Sequence, residues 1–302
     1  MIKRLIWLLP ILSGAMFGGV GIFVRKLDDF GMDSFTVLSS RVLVATILIF
    51  LGLFFYNKSL LKMKLKDLGL FIATGILGML GLNYCYNESI NHLTLSFAAV
   101  LLSLSPLFVF AMAIFIFKEK VTVLKVSSMF LAIFGCLLAS GILDGAGQIK
   151  WSIFGISVGL LSAFFYALYG IFSRLAMQKH YDAYTIIFYS LLMCTIVLLP
   201  LTDWSNLKDF VVSSPVENTI FMFLHSICTS ILPYLLYTIS LKYMDTSMAS
   251  ILAAGGEPIA AMLFGVFFFS EIPTIISFAG IVITIIALIL FCKPPKQPKI
   301  VK

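Results

Sequence analysis

Apolar runs about as long as a bilayer-crossing helix follow one another along nearly the whole chain. About 20 residues are needed to cross a hydrocarbon core of about 30 Å. Runs of that kind fall at approximately 5–24, 34–56, 68–87, 94–117, 123–141, 151–173, 183–201, 219–240, 247–269 and 274–292. The connections between them are only about 4 to 18 residues long, which leaves no room for a soluble domain. The alternating pattern of a membrane barrel is absent. The sequence therefore predicts an all-α integral membrane protein with ten spans. Composition agrees: 61% of the residues are hydrophobic and 12% charged, against about 45–50% and about 25% in an ordinary soluble domain. Lys3 and Arg4 ahead of the first apolar core imitate a signal peptide. The length of that segment and its internal counterpart argue for a retained span.

The net charge of +7 is dealt out in short clusters between the spans and forms no continuous face for nucleic acid. It reads instead as a topology signal. With the N-terminus in the cytoplasm, 16 of the 21 Lys and Arg residues fall inside, four fall outside and Arg41 lies within a span. This split predicts cytoplasmic termini in a plasma membrane, the inner membrane of a bacterium. The five cysteines lie in or at the ends of apolar stretches with no CxxC spacing and no histidine set beside them, so neither disulfides nor a metal site is expected.

The sequence also overlays on itself. Leu12, Ser13, Gly21, Ile22, Phe23 and Arg25 match Leu161, Ser162, Gly170, Ile171, Phe172 and Arg174 at an offset of 149, as do Asp33 with Asp182 and Thr36 with Thr185. Tyr86, Ser89 and Ser96 meet Tyr237, Ser240 and Ser247 at 151, and Pro106 and Glu119 meet Pro258 and Glu271 at 152. The repeats are 1–145 and 146–292, followed by a basic tail, 293–302. Five spans per repeat is an odd number, so the second copy must enter the membrane from the opposite side. Inverted five-helix repeats are the architecture of secondary transporters.

Ser96, Phe97, Ala98, Ala99, Val100 and Leu101 with Pro106 and Glu119, and Ser247, Met248, Ala249, Ser250, Ile251 and Leu252 with Glu257, Pro258 and Glu271, resemble the EamA family of the drug/metabolite transporter superfamily. The resemblance covers essentially the whole chain. Lys118 and Ser270 depart from it, since the family usually has Gly before these glutamates. Similar proteins are associated with export of amino acids and metabolites, movement of nucleosides or nucleotide sugars, and uptake of S-adenosylmethionine. The resemblance thus implies a carrier and leaves its substrate open.

Polar residues sort by symmetry. Those present in both repeats serve the shared scaffold: Arg25 and Arg174 at the ends of the first spans, Asp33 and Asp182 as N-caps of the second, and Glu119 and Glu271 in the loops entering the fifth. Gly14 with Gly18 and Gly155 with Gly159 read as small-residue packing sites. Those present in one repeat are the substrate candidates. Glu257 is at mid-span between Gly255-Gly256 and Pro258, where the helix is expected to kink or break. A carboxylate at that depth costs about 3 kcal/mol or more unless paired or wet. It either satisfies the freed backbone or pairs with another side chain, or else contacts substrate or a proton. Arg41 either snorkels outward or binds an anion. His225 is either a satisfied core histidine or part of the site, while Glu88 and His92 suit a solvated outer end. Asn83, Tyr84 and Asn87 on span three and Tyr234 and Tyr237 on span eight are candidates to flank one central cavity, bordered by Pro106, Pro258 and Ser105.

These residues point to a secondary transporter that exports or facilitates a small amino-acid-like metabolite, with Arg41 drawing a carboxylate and Glu257 an amine. The alternative is uptake of a cationic metabolite such as S-adenosylmethionine or an organic cation. A non-transporting membrane interaction protein is the alternative from another class. An enzyme is not expected, since HExxH, GxSxG and a histidine pair are all missing. No catalytic residue, metal or cofactor is assigned. The partners are the solute, the lipid bilayer and, as an option, a coupled proton, with no nucleic acid.

Overall fold

The computed structural model describes residues 6–117, 122–139, 152–270 and 272–291. Glu119, Glu271, Lys118, the segment around Gly145 and the tail 293–302 lie outside them. The first repeat comprises α1 (Leu8–Gly18), α2 (Val20–Asp29), α3 (Ser34–Tyr56), α4 (Leu68–Ile72), a π-helical stretch (Ala73–Leu80), α5 (Gly81–His92), α6 (Leu95–Leu102), α7 (Ser105–Phe117) and α8 (Val123–Ala139). The second comprises α9 (Ile153–Gln178), α10 (Ala183–Leu198), α11 (Trp204–Ser213), α12 (Pro215–Ser226), a second π-helical stretch (Ile227–Ile231), α13 (Leu232–Ser240), α14 (Thr246–Phe269) and α15 (Ile275–Phe291).

Among the described residues, eight helical stretches are long and apolar enough to cross a membrane: Leu8–Asp29, Ser34–Tyr56, Leu65–His92, Leu95–Ile116, Ile153–Gln178, Ala183–Leu201, Pro215–Ser240 and Thr246–Phe269. The other two expected positions hold α8 and α15, each 17 residues. At 1.5 Å per residue such a helix is about 25 Å long, short of a full hydrocarbon core. These two short helices pack on each other. Phe115, Ile153 and Ile275 are 83–89% exposed, a surface suited to lipid and not to water.

Helix ends follow local chemistry. The Asp33 and Asp182 carboxylates each accept a hydrogen bond, from the Phe35 and Tyr184 N–H groups at 3.1 Å, and so cap α3 and α10. Ser152 and Thr94 cap α9 and α6 in the same manner. Arg25 and Arg174 lie inside their helices and reach elsewhere. Arg25 Nη2 donates to the Leu93 carbonyl at 3.2 Å, and Arg174 Nη1 donates to the Leu241 carbonyl. Those carbonyls end α5 and α13, so each arginine caps the third span of its own repeat. Ser270 ends α14 with φ 52°, the left-handed conformation that explains why glycine is usual there.

The repeats interlock. α1 packs on α13 and α14, α9 packs on α5, α6 and α7, and α3 packs on α10. Close approach is set by glycine: a Cβ on Gly14 would lie 1.9 Å from the Ala253 carbonyl oxygen, and one on Gly18 would lie 2.4 Å from that of Glu257. Gly155 and Gly159 admit Leu93 and Leu101 in the same way. Thr46 and Thr195, equivalent at an offset of 149, touch each other through their hydroxyls at 2.8 Å. Loops also pair across the repeats. Asn206 Nδ2 donates to the Gly31 carbonyl at 2.9 Å, joining the α2–α3 loop to the start of α11. The α9–α10 loop meets the segment after α3, where the Tyr181 hydroxyl donates to Asp67 at 2.8 Å and Lys179 pairs with the same carboxylate.

A break is found at one of the two expected sites. Span four breaks at Ser103 and Leu104, ahead of Pro106. Its counterpart α14 runs unbroken through Gly255, Gly256 and Pro258.

Candidate functional site

Arg41, on the buried face of α3, is fully buried and has not snorkelled outward. Its Nη2 donates to Asn83 Oδ1 at 2.8 Å, while Nε and Nη1 have no hydrogen-bond partner among the described residues. Asn83 Nδ2 donates to the Met79 carbonyl at 2.6 Å and to the Tyr234 hydroxyl at 2.7 Å. One chain of bonds therefore links spans two, three and eight. Its members sit beside the two π-helical stretches, which shift the register of helix faces and often accompany functional sites. Cys194, whose thiol donates to the Gly75 carbonyl at 3.1 Å, and His225 lie within electrostatic reach of Arg41. His225 is buried and stacked on Phe23, with ring centroids 5.0 Å apart, and neither ring nitrogen has a hydrogen-bond partner among the described residues. The satisfied-core reading has no hydrogen bond among the described residues to support it.

Glu257 is fully buried on α14, and neither carboxylate oxygen has a hydrogen-bond partner among the described residues. The backbone-capping reading has no bond to support it. Tyr86 and Tyr166 are its electrostatic neighbours, both buried with unpartnered hydroxyls among the described residues. Asn87 and Ser105 are likewise fully buried with unpartnered side-chain atoms among the described residues.

A closed circuit of five rings adjoins the surroundings of both groups, through Tyr234, which is bonded to Asn83, and Tyr166, which neighbours Glu257. Phe17 meets Tyr166 at 5.6 Å, Tyr166 meets Tyr237 at 5.2 Å, and Tyr237 meets Tyr169 at 6.2 Å. Tyr169 meets Tyr234 at 5.0 Å, and Tyr234 returns to Phe17 at 5.0 Å. Tyr169 is held further by the Thr238 hydroxyl at 2.7 Å.

The structure thus gathers Arg41, Asn83, Tyr234 and His225 around one end of the circuit. It sets Tyr84 apart, half-buried and stacked on Phe35 at 4.7 Å. Glu88, at the outer end of span three, is partly exposed and accepts a hydrogen bond from Ser34. Gly256 and Ser105 are buried, and Gly256 abuts the Ile11 carbonyl, so neither borders open space. A cavity of about 420 Å³ opens elsewhere, at the α9–α10 loop, lined by Arg174, His180, Tyr181, Asp182, Leu241 and Lys242. None of the central residues lines it. Sequence reasoning missed Phe17, Tyr166 and Tyr169. The spacing of Tyr166 and Tyr169 on span six, three residues apart, matches that of Tyr234 and Tyr237 and was the available signal.

Fold and site together define a multi-pass membrane protein in which a buried polar set lies between two interlocked repeats. The chain belongs to the EamA-like transporter family, which matches residues 4–141 and again 153–292. An uncharacterized transporter of Archaeoglobus fulgidus is 28% identical over 274 residues, covering 89% of this chain and 90% of its own length. The pseudopaline exporter CntI of Pseudomonas aeruginosa strain UCBPP-PA14 is 25% identical, covering 96% of each chain. A chain of known crystal structure aligns with a TM-score of 0.63 at 13% identity, covering 93% of this chain and 95% of that one. That likeness speaks to the fold alone.

Proposed function

We propose that the protein is an alternating-access carrier of a small zwitterionic, amino-acid-like metabolite, working in the direction of export. The observation that carries this reading is the pair of fully buried, incompletely bonded ionisable groups, Arg41 and Glu257, on spans from different repeats. A buried charge without partners costs several kcal/mol, on the order of what removal of one member of a buried pair costs. A scaffold gains nothing from that cost, whereas a solute bearing a carboxylate and an amine supplies both missing partners. The relative named as an exporter supports the direction.

Ten spans arranged as inverted repeats complete the proposal, with α8 and α15 as the fifth span of each. The loop contacts support inversion. The α2–α3 loop is bonded to the start of α11, while its repeat equivalent, the α9–α10 loop, is bonded to the segment after α3. Loops flanking a single span, α3, lie on opposite sides of the membrane.

Glu257→Gln tests the reading. Gln is nearly isosteric and relieves the desolvation of a carboxylate, so the variant should fold and insert normally. Its flux in proteoliposomes at matched protein density should fall by about tenfold or more, equivalent to about 1.4 kcal/mol, with an altered pH profile. A wild-type rate and profile would return Glu257 to the scaffold.

A further inference from the structure

The two charged groups of the site have different neighbours. Arg41 is bonded to Asn83, which is bonded to Tyr234. Glu257 has Tyr86 and Tyr166 as its electrostatic neighbours. Asn83 and Tyr86 are three residues apart on α5, as Tyr234 and Tyr237 are on α13. Each pair is separated by nearly one turn, about 4.5 Å along the helix axis. Arg41 and Glu257 form no ion pair among the described residues, and the circuit of Phe17, Tyr166, Tyr237, Tyr169 and Tyr234 touches the surroundings of both, through Tyr234 at Asn83 and Tyr166 at Glu257.

An α-amino acid carries its ammonium and carboxylate on one carbon. With no ion pair between Arg41 and Glu257 and different neighbours around each, an α-amino acid held at Arg41 has its ammonium beside Asn83 and Tyr234, and one held at Glu257 has its carboxylate beside Tyr86 and Tyr166. Each arrangement keeps one buried charge uncompensated. A longer solute satisfies both ends, and a planar middle section can lie against the rings at normal stacking distances. Tyrosine faces also favour a cation approaching Glu257 past Tyr166.

We propose that the site is two-ended: Arg41 and Asn83 take an anionic group and Glu257 takes a cationic group of one elongated solute, whose charges are held apart by a planar section lying along the aromatic circuit. This specificity rests on the carrier reading above and sharpens it.

The test is equilibrium binding to the purified full-length protein in nanodiscs, across glycine, β-alanine, progressively longer ω-amino acids and para-aminomethylbenzoate. Affinity should rise with charge separation and be highest for the aromatic member, by about tenfold or more over glycine. Arg41→Gln and Glu257→Gln, each checked for monodispersity and thermal unfolding, should both abolish that preference. Tyr166→Ala, which opens the circuit, should flatten the dependence on length while leaving binding detectable. Glycine binding as well as the longer members, or a length preference unchanged in Tyr166→Ala, overturns the two-ended site and leaves the carrier reading standing. Failure of wild-type protein to bind any member, together with undiminished flux in Glu257→Gln, overturns both.

Discussion

Asp33 and Asp182 show which residue roles can be read from sequence: an N-cap joins groups two or three positions apart, so spacing alone reveals it. Arg25 and Arg174 show the limit. Their repetition marks them as scaffold, but the carbonyls they cap lie 68 and 67 residues away, and only folding brings them together. Arg41 and Glu257 were legible as anomalies of depth, whereas the aromatic circuit that adjoins the surroundings of both was not, because it depends on helix rotation. Backbone conformation gives a residue-scale prediction of opposite signs. A Cβ on Gly31 or on Gly52 would meet nothing within 4 Å, but Gly31 has φ 89° and Gly52 lies within α3. Gly31→Ala should lose about 1 kcal/mol to left-handed strain. Gly52→Ala should gain up to about 1 kcal/mol from helix propensity. Thermal midpoints of the purified variants, moving in opposite directions, check the pair; a common shift would contradict it. His180, the repeat equivalent of Gly31, already tolerates φ 68°.

At the scale of elements, hydropathy located the spans because lipid imposes one requirement on all of them, internal bonding of every backbone group under an apolar surface. It missed departures from regular helix, since π-helical stretches at Ala73–Leu80 and Ile227–Ile231 are as apolar as the α-helix around them. The two fourth spans also differ in a way that hydropathy does not show. Pro106 lies in the first turn of α7, where a missing N–H is harmless, and the break comes just before it. Pro258 lies inside a continuous α14 that Gly256 seats against the Ile11 carbonyl of α1, so packing holds the helix where proline alone would end it. The same seam gives an element-scale prediction. Gly14→Ala places a methyl group 1.9 Å from the Ala253 carbonyl oxygen, a backbone atom that cannot swing aside. α1 and α14 must then separate, at a cost of about 1–3 kcal/mol, as in overpacked cores. Thermal unfolding of Gly14→Ala should fall well below that of Gly52→Ala, and equal midpoints would mean that α1 is not seated on α14 in the membrane.

For the whole molecule, the proposed inversion of the repeats has two independent supports, the arithmetic of an odd span number and the pairing of loops. The first needs only the repeat offset and the positions of Lys and Arg; the second needs only hydrogen bonds between segments far apart in sequence. Lys62, Lys64 and Lys66 lie near the α9–α10 loop through Tyr181 and Lys179, so this end of the molecule holds the basic clusters expected to face the cytoplasm. The opposite end joins Gly31 to Asn206, with Lys26 paired to Glu217 at 3.5 Å. Single cysteines at Asn206 and Glu217, in a background lacking native thiols, should therefore react with an impermeant reagent added to intact cells. Cysteines at Lys62 and Lys179 should react only after the inner face is opened. All four positions are on connecting segments or exposed helix ends, so labelling reports sidedness without disturbing a span. Reaction of all four from one side would break the inverted relation of the repeats, and the exchange of conformations that drives alternating access would lose its structural basis.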